Sequence, residues 1–271
     1  MGLRVNTNIA SLTSQRNLSQ ITGRLQGNFA RLSSGLRIAN ASDDAAGLGI
    51  SERMRSQIRS FSQTSRNAQD GISMVQTAEG ALSEVSNILG RMRELSVQAA
   101  NGTLSTADRT TINTEFTALT SEIERIADET KFNGISLLNT DSTTKIQVGI
   151  DANQTIDIAT KDMQTLALAI STIDTTTAVN ANLAITALDL AIGTVSTQRG
   201  SFGADINRLQ SAHASILNAH ENLSAAESRI RDVDVAYETA DLTRNSIMQQ
   251  AATSVLAQAN TQPQLALALL G

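Results

Sequence analysis

The residues able to do chemistry in this chain are few, and their spacing restricts what they could do. His213 and His220 are the two histidines. Seven residues apart on one helical face, they stand roughly 10 Å from each other, too far to share one metal ion. The chain has no cysteine, so thiolate ligands and disulfides are excluded. Asp43 and Asp44 precede Ala45-Ala46-Gly47. Without the alternating oxygen ligands of a calcium loop, this acidic pair is expected to cap a helix start. Asp232 and Asp234 sit among Arg229 and Arg231, where ion pairing along a helix is the simpler expectation. General acid–base work would need two carboxylates converging in a pocket. No phosphate-binding glycine loop or nucleophile motif is found in the sequence. The expectation is a non-enzymatic protein with no catalytic residue, cofactor or metal.

Composition points the same way. Hydrophobic residues make up 41% of the 271 positions, but aromatic residues only 2%, and there is no Trp. Compact enzymes fill thick cores and pockets with aromatic bulk, whereas Ala, Leu, Ile and Val at helical spacing pack thin layers. The length suits one elongated domain or two modest ones. A net charge of −5 favours solubility and speaks against nucleic-acid binding, which needs a basic face. No run of about 18 apolar residues suggests a membrane span, and no membrane insertion is expected. The opening residues lack the apolar run of a signal peptide, so export would use a route without a cleaved leader.

The elements that carry these residues divide into three zones. Residues 1–132 and 183–260 are helical in period, and 133–182 are not. In the first zone Leu18, Ile21, Leu25, Phe29, Leu32 and Leu36 are spaced three or four apart. A second series runs Ile50, Met54, Ile58 and Phe61, then Val75, Ala78, Leu82, Val85, Leu89 and Met92, a coiled-coil-like seam on a helix over 52–99. Gly71, Gly80 and Gly90 each weaken that helix, yet are tolerable in a bundle and permit close contact. Asn101-Gly102 ends it, Ser105 with Asp108 reads as an N-cap, and a third helix carries Ile112, Phe116, Leu119, Ile123 and Ile126. The period then changes to two. Ile146, Val148 and Ile150, a turn at 151–154, and Ile156 with Ile158 predict a β-hairpin near 145–159. Thr-rich 171–182 reads as a linker.

The most regular signal lies in the last zone. Leu188, Val195, Phe202, Leu209, Ile216, Leu223 and Ile230 recur every seven residues. The companion series, Ile192, Arg199, Ile206, His213, His220 and Glu227, is mostly polar, as on a helix packed on one side. Beyond Asp232, Leu242, Ile247, Ala251, Val255 and Ala259 continue in helical step. The first 32 residues add Leu3, Val5, Ile9 and Leu12 to the leading stripe. A stripe this thin does not offset the entropy of ordering its backbone, so each end is expected to fold only against another helix, in the same chain or in a neighbouring one. The ends read as assembly elements.

Several words in the sequence are more specific. Arg31-Leu32-Ser33-Ser34-Gly35-Leu36-Arg37-Ile38 and Asp43-Asp44-Ala45-Ala46-Gly47 closely resemble the N-terminal signature of bacterial flagellins, as do Ser65-Arg66-Asn67-Ala68, Asp70-Gly71-Ile72-Ser73, Thr77-Ala78-Glu79-Gly80-Ala81-Leu82 and Arg93-Glu94-Leu95. Lys131-Phe132-Asn133-Gly134 and Ile146-Gln147-Val148-Gly149 match too. Ser228-Arg229-Ile230-Arg231-Asp232, Gln249-Gln250-Ala251 and Ser254-Val255-Leu256-Ala257-Gln258-Ala259-Asn260 are similar to the family's other end.

The resemblance implies a mainly α fold: a long coiled-coil-like helical bundle with paired N- and C-terminal helices and one small β-hairpin. Residues 1–42 and 232–271 would pair as the inner filament core, with Leu18, Ile21, Leu25, Leu32, Leu242, Ile247, Val255 and Leu256 in the polymerisation contacts. Residues 43–170 would form the core domain with its hairpin, 171–182 a short linker where many relatives insert large outer domains, and 183–231 the long C-terminal helix of that domain. The implied protein is a structural subunit of the extracellular flagellar filament, serving motility and exported unfolded through the flagellar type III route. Its implied partners are itself or paralogous flagellins, an export chaperone, and cap and hook-associated proteins. Arg91, Leu95, Gln98 and Glu115 occupy positions resembling the patch that vertebrate Toll-like receptors detect, although Gly90 stands where the family often has Gln. Packing against the next subunit is the plainer use of that surface. A hook–filament junction protein shares the two-ended plan but would match the words at 31–49 and 249–260 less well. A helical signalling rod would form a stable dimer and no filaments.

Overall fold

Local signals start most of the helices and end several of them. The computed structural model describes residues 7–268, and side-chain surroundings for 7–261; Leu3 and Val5 of the leading stripe lie outside the described residues. Helix α1 spans Ile9–Ser34. Asn8 caps it, its side chain accepting from the Ser11 amide at 3.0 Å. Gly35, at φ +71°, closes it by donating its N–H to the Arg31 carbonyl at 2.9 Å. Helix α2, Ala45–Ala99, begins behind Asp44, whose carboxylate accepts from the Gly47 amide at 2.9 Å. Asp43 accepts from the amides of Ala39 and Asn40, and these bonds hold its carboxyl below its ordinary value. Asp44 therefore caps the start of α2, as the sequence predicts, whereas Asp43, expected to do the same, braces the preceding turn at 39–40 instead. Arg109 donates to the carbonyls of Ala99 and Asn101, covering the end of α2. Helix α3, Thr106–Glu129, opens with the reciprocal Ser105–Asp108 capping box.

Two small antiparallel pairs follow, where one hairpin is expected. Strands β1 (Lys131–Phe132) and β2 (Ile135–Ser136) turn over Asn133 and Gly134, both at positive φ, the residues such a two-residue turn requires. With two residues on each side, this pair is too short to carry a period. Strands β3 (Ser142–Gln147) and β4 (Thr155–Thr160) form the expected hairpin, with Ile146 opposite Ile156. Helix α4 then runs Ala178–Arg231 and α5 Val235–Ala268. The start of α4 overlaps the segment expected to be linker. Thr177 accounts for this, since its hydroxyl accepts from the Asn180 amide and caps the helix. Against the sequence expectation, α4 is also long and apolar enough to cross a membrane by length and composition, with a mean hydropathy of 1.4 over 18 residues. Asp189 is the one charged residue between Ala178 and Val195.

The chain divides into two compact units, at Ile58/Arg59 and Glu221/Asn222. These divisions fall inside α2 and α4 rather than at 42/43 and 231/232. The first turns of α2 and the end of α4 lie in one unit, where Arg231 Nη1 donates to Glu52 at 2.5 Å and Arg55 lies 4.0 Å from Glu227. In the unit Arg59–Glu221 the helices and the hairpin share one main core cluster. Val75, Leu82, Val85, Leu89 and Met92 of α2 meet Phe116 and Ile123 of α3 and Leu188, Val195, Phe202 and Leu209 of α4. Ile216 is buried too, while Leu223 and Ile230 are half-buried in the other unit. The polar companion positions find partners: Arg199 pairs with Glu79 at 2.8 Å and His213 Nε2 lies 3.1 Å from the Ser65 hydroxyl. The hairpin is tied down by Gln198, donating to the Ala159 carbonyl, and Asn67, donating to that of Gln147. At Gly71 an added Cβ would lie 3.2–3.3 Å from Ile146 and Leu209, so this glycine does permit close packing. Nothing lies within 4 Å at Gly80 or Gly90.

Candidate assembly surface

Helices α1 and α5 pair along their length within one unit, antiparallel, with Asn8 against Ala259 and Arg31 against Glu238. The buried or half-buried stripe on α1 runs Ser11, Ser14, Leu18, Ile21, Leu25, Asn28 and Leu32, and the facing stripe on α5 runs Glu238, Leu242, Asn245, Gln249, Ala252, Leu256 and Ala259. Both keep three- and four-residue steps, the spacing of a coiled-coil seam. Six of the eight expected polymerisation residues lie on it: Leu18, Ile21, Leu25, Leu32, Leu242 and Leu256 are buried or half-buried. The other two, Ile247 and Val255, are exposed.

The seam is more polar than expected. Asn28, 1% exposed, accepts from Asn245 at 3.1 Å, and the Ser11 hydroxyl bonds to Asn260 at 2.7 Å. Asn8 donates to the Ala259 carbonyl at 2.7 Å, and Arg31 Nε to Glu238 at 2.8 Å. The expected stripe included Phe29, which points outward, in place of Asn28, which points inward. Apolar content selects the wrong one of two overlapping helical stripes here, because the seam is marked by side chains that need partners. Asparagines in step with leucines at 18, 25 and 32 were the available signal. Turned away from the seam stand Ile9, Leu12 and Phe29 on α1 and Val235, Tyr237, Ile247 and Val255 on α5, all more than half exposed.

A clasp joins the inner ends of the two helices. The Gly35 carbonyl accepts from the Val233 amide at 3.0 Å, and Arg37 donates its amide to the Arg231 carbonyl at 2.7 Å and its guanidinium to the Ile230 carbonyl at 2.5 Å. The two sequence words 31–38 and 228–232 thus meet. Arg231 reaches on to Glu52, and this hydrogen bond holds the Glu52 carboxyl below its ordinary value. Ile38 is buried against Gly47, where an added Cβ would come within 2.7 Å of Ile38 Cδ1.

In the other unit, Arg91 donates to Glu115 at 2.9 Å and also contacts Glu94, and these bonds raise its pKa. Gln98 is exposed nearby in sequence. Leu95 differs from the expectation for a recognition patch: it is 2% exposed and packs with Ala99, Ile112 and Ala181. A helix has one face toward its core, and Leu95 continues the line of Leu89 and Met92. Among the described residues no group of three or more His, Cys, Asp or Glu converges as a metal site would.

Comparison with known proteins places this geometry. The model of the bacterial flagellin N-terminal helical region matches residues 5–143, and that of the C-terminal helical region matches 185–270. A flagellin of Halalkalibacterium halodurans is 48% identical over 269 residues, covering 98% of this chain and 99% of its own. A flagellin of Bacillus subtilis is 46% identical over an alignment covering 99% of this chain and 100% of its own. The crystal structure of Bacillus cereus flagellin superposes with a TM-score of 0.52 at 35% identity, covering 60% of this chain and 94% of that one. Two family models flanking the hairpin region, two relatives matched from end to end and a shared helical fold agree: the chain belongs to the bacterial flagellin family.

Proposed function

We propose that α1 and α5 act as one assembly element, in which the polar seam sets how the two helices pair and the outward apolar stripe is covered by neighbouring copies. As a flagellin, the protein is a structural subunit of the extracellular flagellar filament and not an enzyme. The observation that carries the proposal is the inversion along this helix pair. Phe29, Ile247 and Val255 face outward while Ser11, Asn28, Glu238 and Asn245 are buried. Polar contacts hold a register with little net stability, and apolar area left outside is what association can bury. Phe29→Ser and Ile247→Asp, each in the full chain, should keep the monomer's helical signal and abolish filaments seen by electron microscopy after salt-induced assembly. Normal filaments from either variant would remove the basis of the proposal.

Export fits the same reading. Leu25 is the one buried apolar side chain described on α1, and Ala259 the one on α5, the other seam leucines and Ile21 being only half-buried, so this pair is held by a thin apolar contact. The chain is therefore suited to travel unfolded through the flagellar type III channel with a chaperone, and to fold under the filament cap beside hook-associated proteins. For a vertebrate Toll-like receptor, the proposed contact surface is the Arg91–Glu115 pair with Gln98, while Leu95 supports it from the core.

A further inference from the structure

The loop between α2 and α3 holds a side chain placed to react with its own backbone. Asn101 stands just past the end of α2 and precedes Gly102, and both are exposed. An asparagine can be attacked at its carboxamide carbon, Cγ, by the amide nitrogen of the next residue, closing a five-membered succinimide ring. Glycine in that next position favours closure, because it has no Cβ to crowd the attacking nitrogen. At Gly102 nothing lies within 4 Å of where a Cβ would stand, so no neighbour blocks the approach.

The surrounding contacts supply what the reaction needs. Thr103 donates its amide to Asn101 Oδ1 at 3.1 Å. The ring closed by this bond contains the Gly102 nitrogen, so it holds the carboxamide beside its attacker. The same N–H can stabilise the oxyanion that forms on Oδ1. The Asn101 main-chain carbonyl accepts from Arg109 Nη2 at 2.9 Å and from the Leu104 amide at 3.3 Å. That carbonyl shares a peptide unit with the Gly102 N–H, so a cation on it favours loss of the amide proton. The Gly102 amide itself has no hydrogen-bond partner among the described residues.

The second Asn-Gly pair, Asn133-Gly134, is held differently. Asn133 has φ +48°, and the left-handed conformation, with ψ about +47°, turns the following nitrogen away from Cβ. The paired strands on either side fix that turn. Among the described residues its carboxamide makes no hydrogen bond.

We propose that Asn101 is a self-modification site, whose conversion to aspartate and isoaspartate is promoted by Thr103 and Arg109 of the folded chain. The Gly102 nitrogen gives its proton to solvent hydroxide and forms the N–Cγ bond. The Cγ–Nδ2 bond breaks, and the departing nitrogen takes a proton from water and leaves as ammonia. Water then adds to one of the two ring carbonyls. Opening at Cγ gives aspartate, and opening at the main-chain carbonyl gives isoaspartate, through whose side chain the backbone now runs. Nothing is oxidised or reduced. Either product adds a negative charge to a chain of net −5, next to the guanidinium that covers the end of α2. Isoaspartate also adds a methylene to the main chain, which alters the α2–α3 connection.

Both asparagines can be followed in one sample. The full chain, unpolymerised, is incubated at mildly alkaline pH, sampled over weeks and digested with trypsin. Peptides Glu94–Arg109 and Phe132–Lys145 then report Asn101 and Asn133, by the mass gain of amide to acid and by separation of isoaspartate from aspartate. In the folded chain Asn101 should convert about tenfold or more faster than Asn133. In concentrated urea the two should agree within about twofold, since glycine follows both. Arg109→Met should slow Asn101 several-fold in the folded chain and leave its rate in urea unchanged. Equal rates at the two asparagines in the folded chain, or a folded Asn101 slower than in urea, overturn the proposal without recourse to any variant. An Arg109→Met chain with the unmodified chain's helical signal and unchanged conversion overturns it as well.

Discussion

Replacing Arg31 by Met removes the cation facing a nearly buried carboxylate and should be read out in assembly rather than in core stability. Arg31 Nε lies 2.8 Å from Glu238 Oε1, with the two side chains 32% and 7% exposed. Breaking a fully buried pair by removing one partner costs ~3–5 kcal/mol. Solvent reaches about a third of the arginine, so the expected loss is smaller, ~1–2 kcal/mol. If this pairing forms as subunits enter the filament, the loss appears in the critical concentration, at about tenfold per 1.4 kcal/mol, hence a rise of roughly 5–30-fold. The assay is sedimentation of polymer across a concentration series, with melting of the unpolymerised chain as control. Replacing both partners, Arg31→Met with Glu238→Leu, removes the stranded charge and should recover much of the loss. A single variant within about twofold of the unmodified chain would refute the role given to this pair, and so would a double variant as defective as the sum of the singles.

Two further outcomes test other parts of the structure. Gly80 and Gly71 lie on the same helix but in different surroundings: Gly80→Ala should stabilise the chain by about 1 kcal/mol, raising the melting temperature by ~2–4 °C. Gly71→Ala should forgo that gain, because Ile146 and Leu209 already stand 3.2–3.3 Å from its Cβ position; equal gains in thermal melts would contradict the packing. Asp108 accepts hydrogen bonds from the Ser105 hydroxyl and amide, which place its folded pKa below the ordinary 3.8. The cap's contribution is therefore present above 3.8 and lost as pH falls through the lower folded value. Relative to Asp108→Asn, the native chain should be more stable at neutral pH and lose that advantage in acid; a difference independent of pH would exclude the carboxylate as its source.

Much of the molecule follows from local patterns. The sevenfold series from Leu188 to Ile216, the Ser105–Asp108 cap, the break at Asn101-Gly102 and the alternation about Ile146 and Ile156 each depend on residues close in the chain, and each is realised where the pattern puts it. The family words add the two-ended plan. The contact of Arg231 with Glu52, by contrast, joins residues 179 apart, which no window along the chain contains. The start of α4 at Ala178 hinged on a single threonine cap within a segment that otherwise reads as a linker.

The sequence by itself determined that long amphipathic helices would form, that both ends carry apolar side chains beyond what a thin helix can bury, and that no catalytic constellation accompanies them. Tertiary structure decided which stripe faces inward. On α1 the steps through Leu18, Ile21, Leu25 and Leu32 continue equally well through Asn28 or Phe29, since neighbouring positions on a helix differ by only about 100°. The partner helix breaks the tie: Asn245 donates to the Asn28 side-chain oxygen inside the seam, and Phe29 is left on the surface. Hydrogen bonding in a narrow helix pair demands a specific partner, whereas burial of an apolar ring accepts any, including one on another molecule.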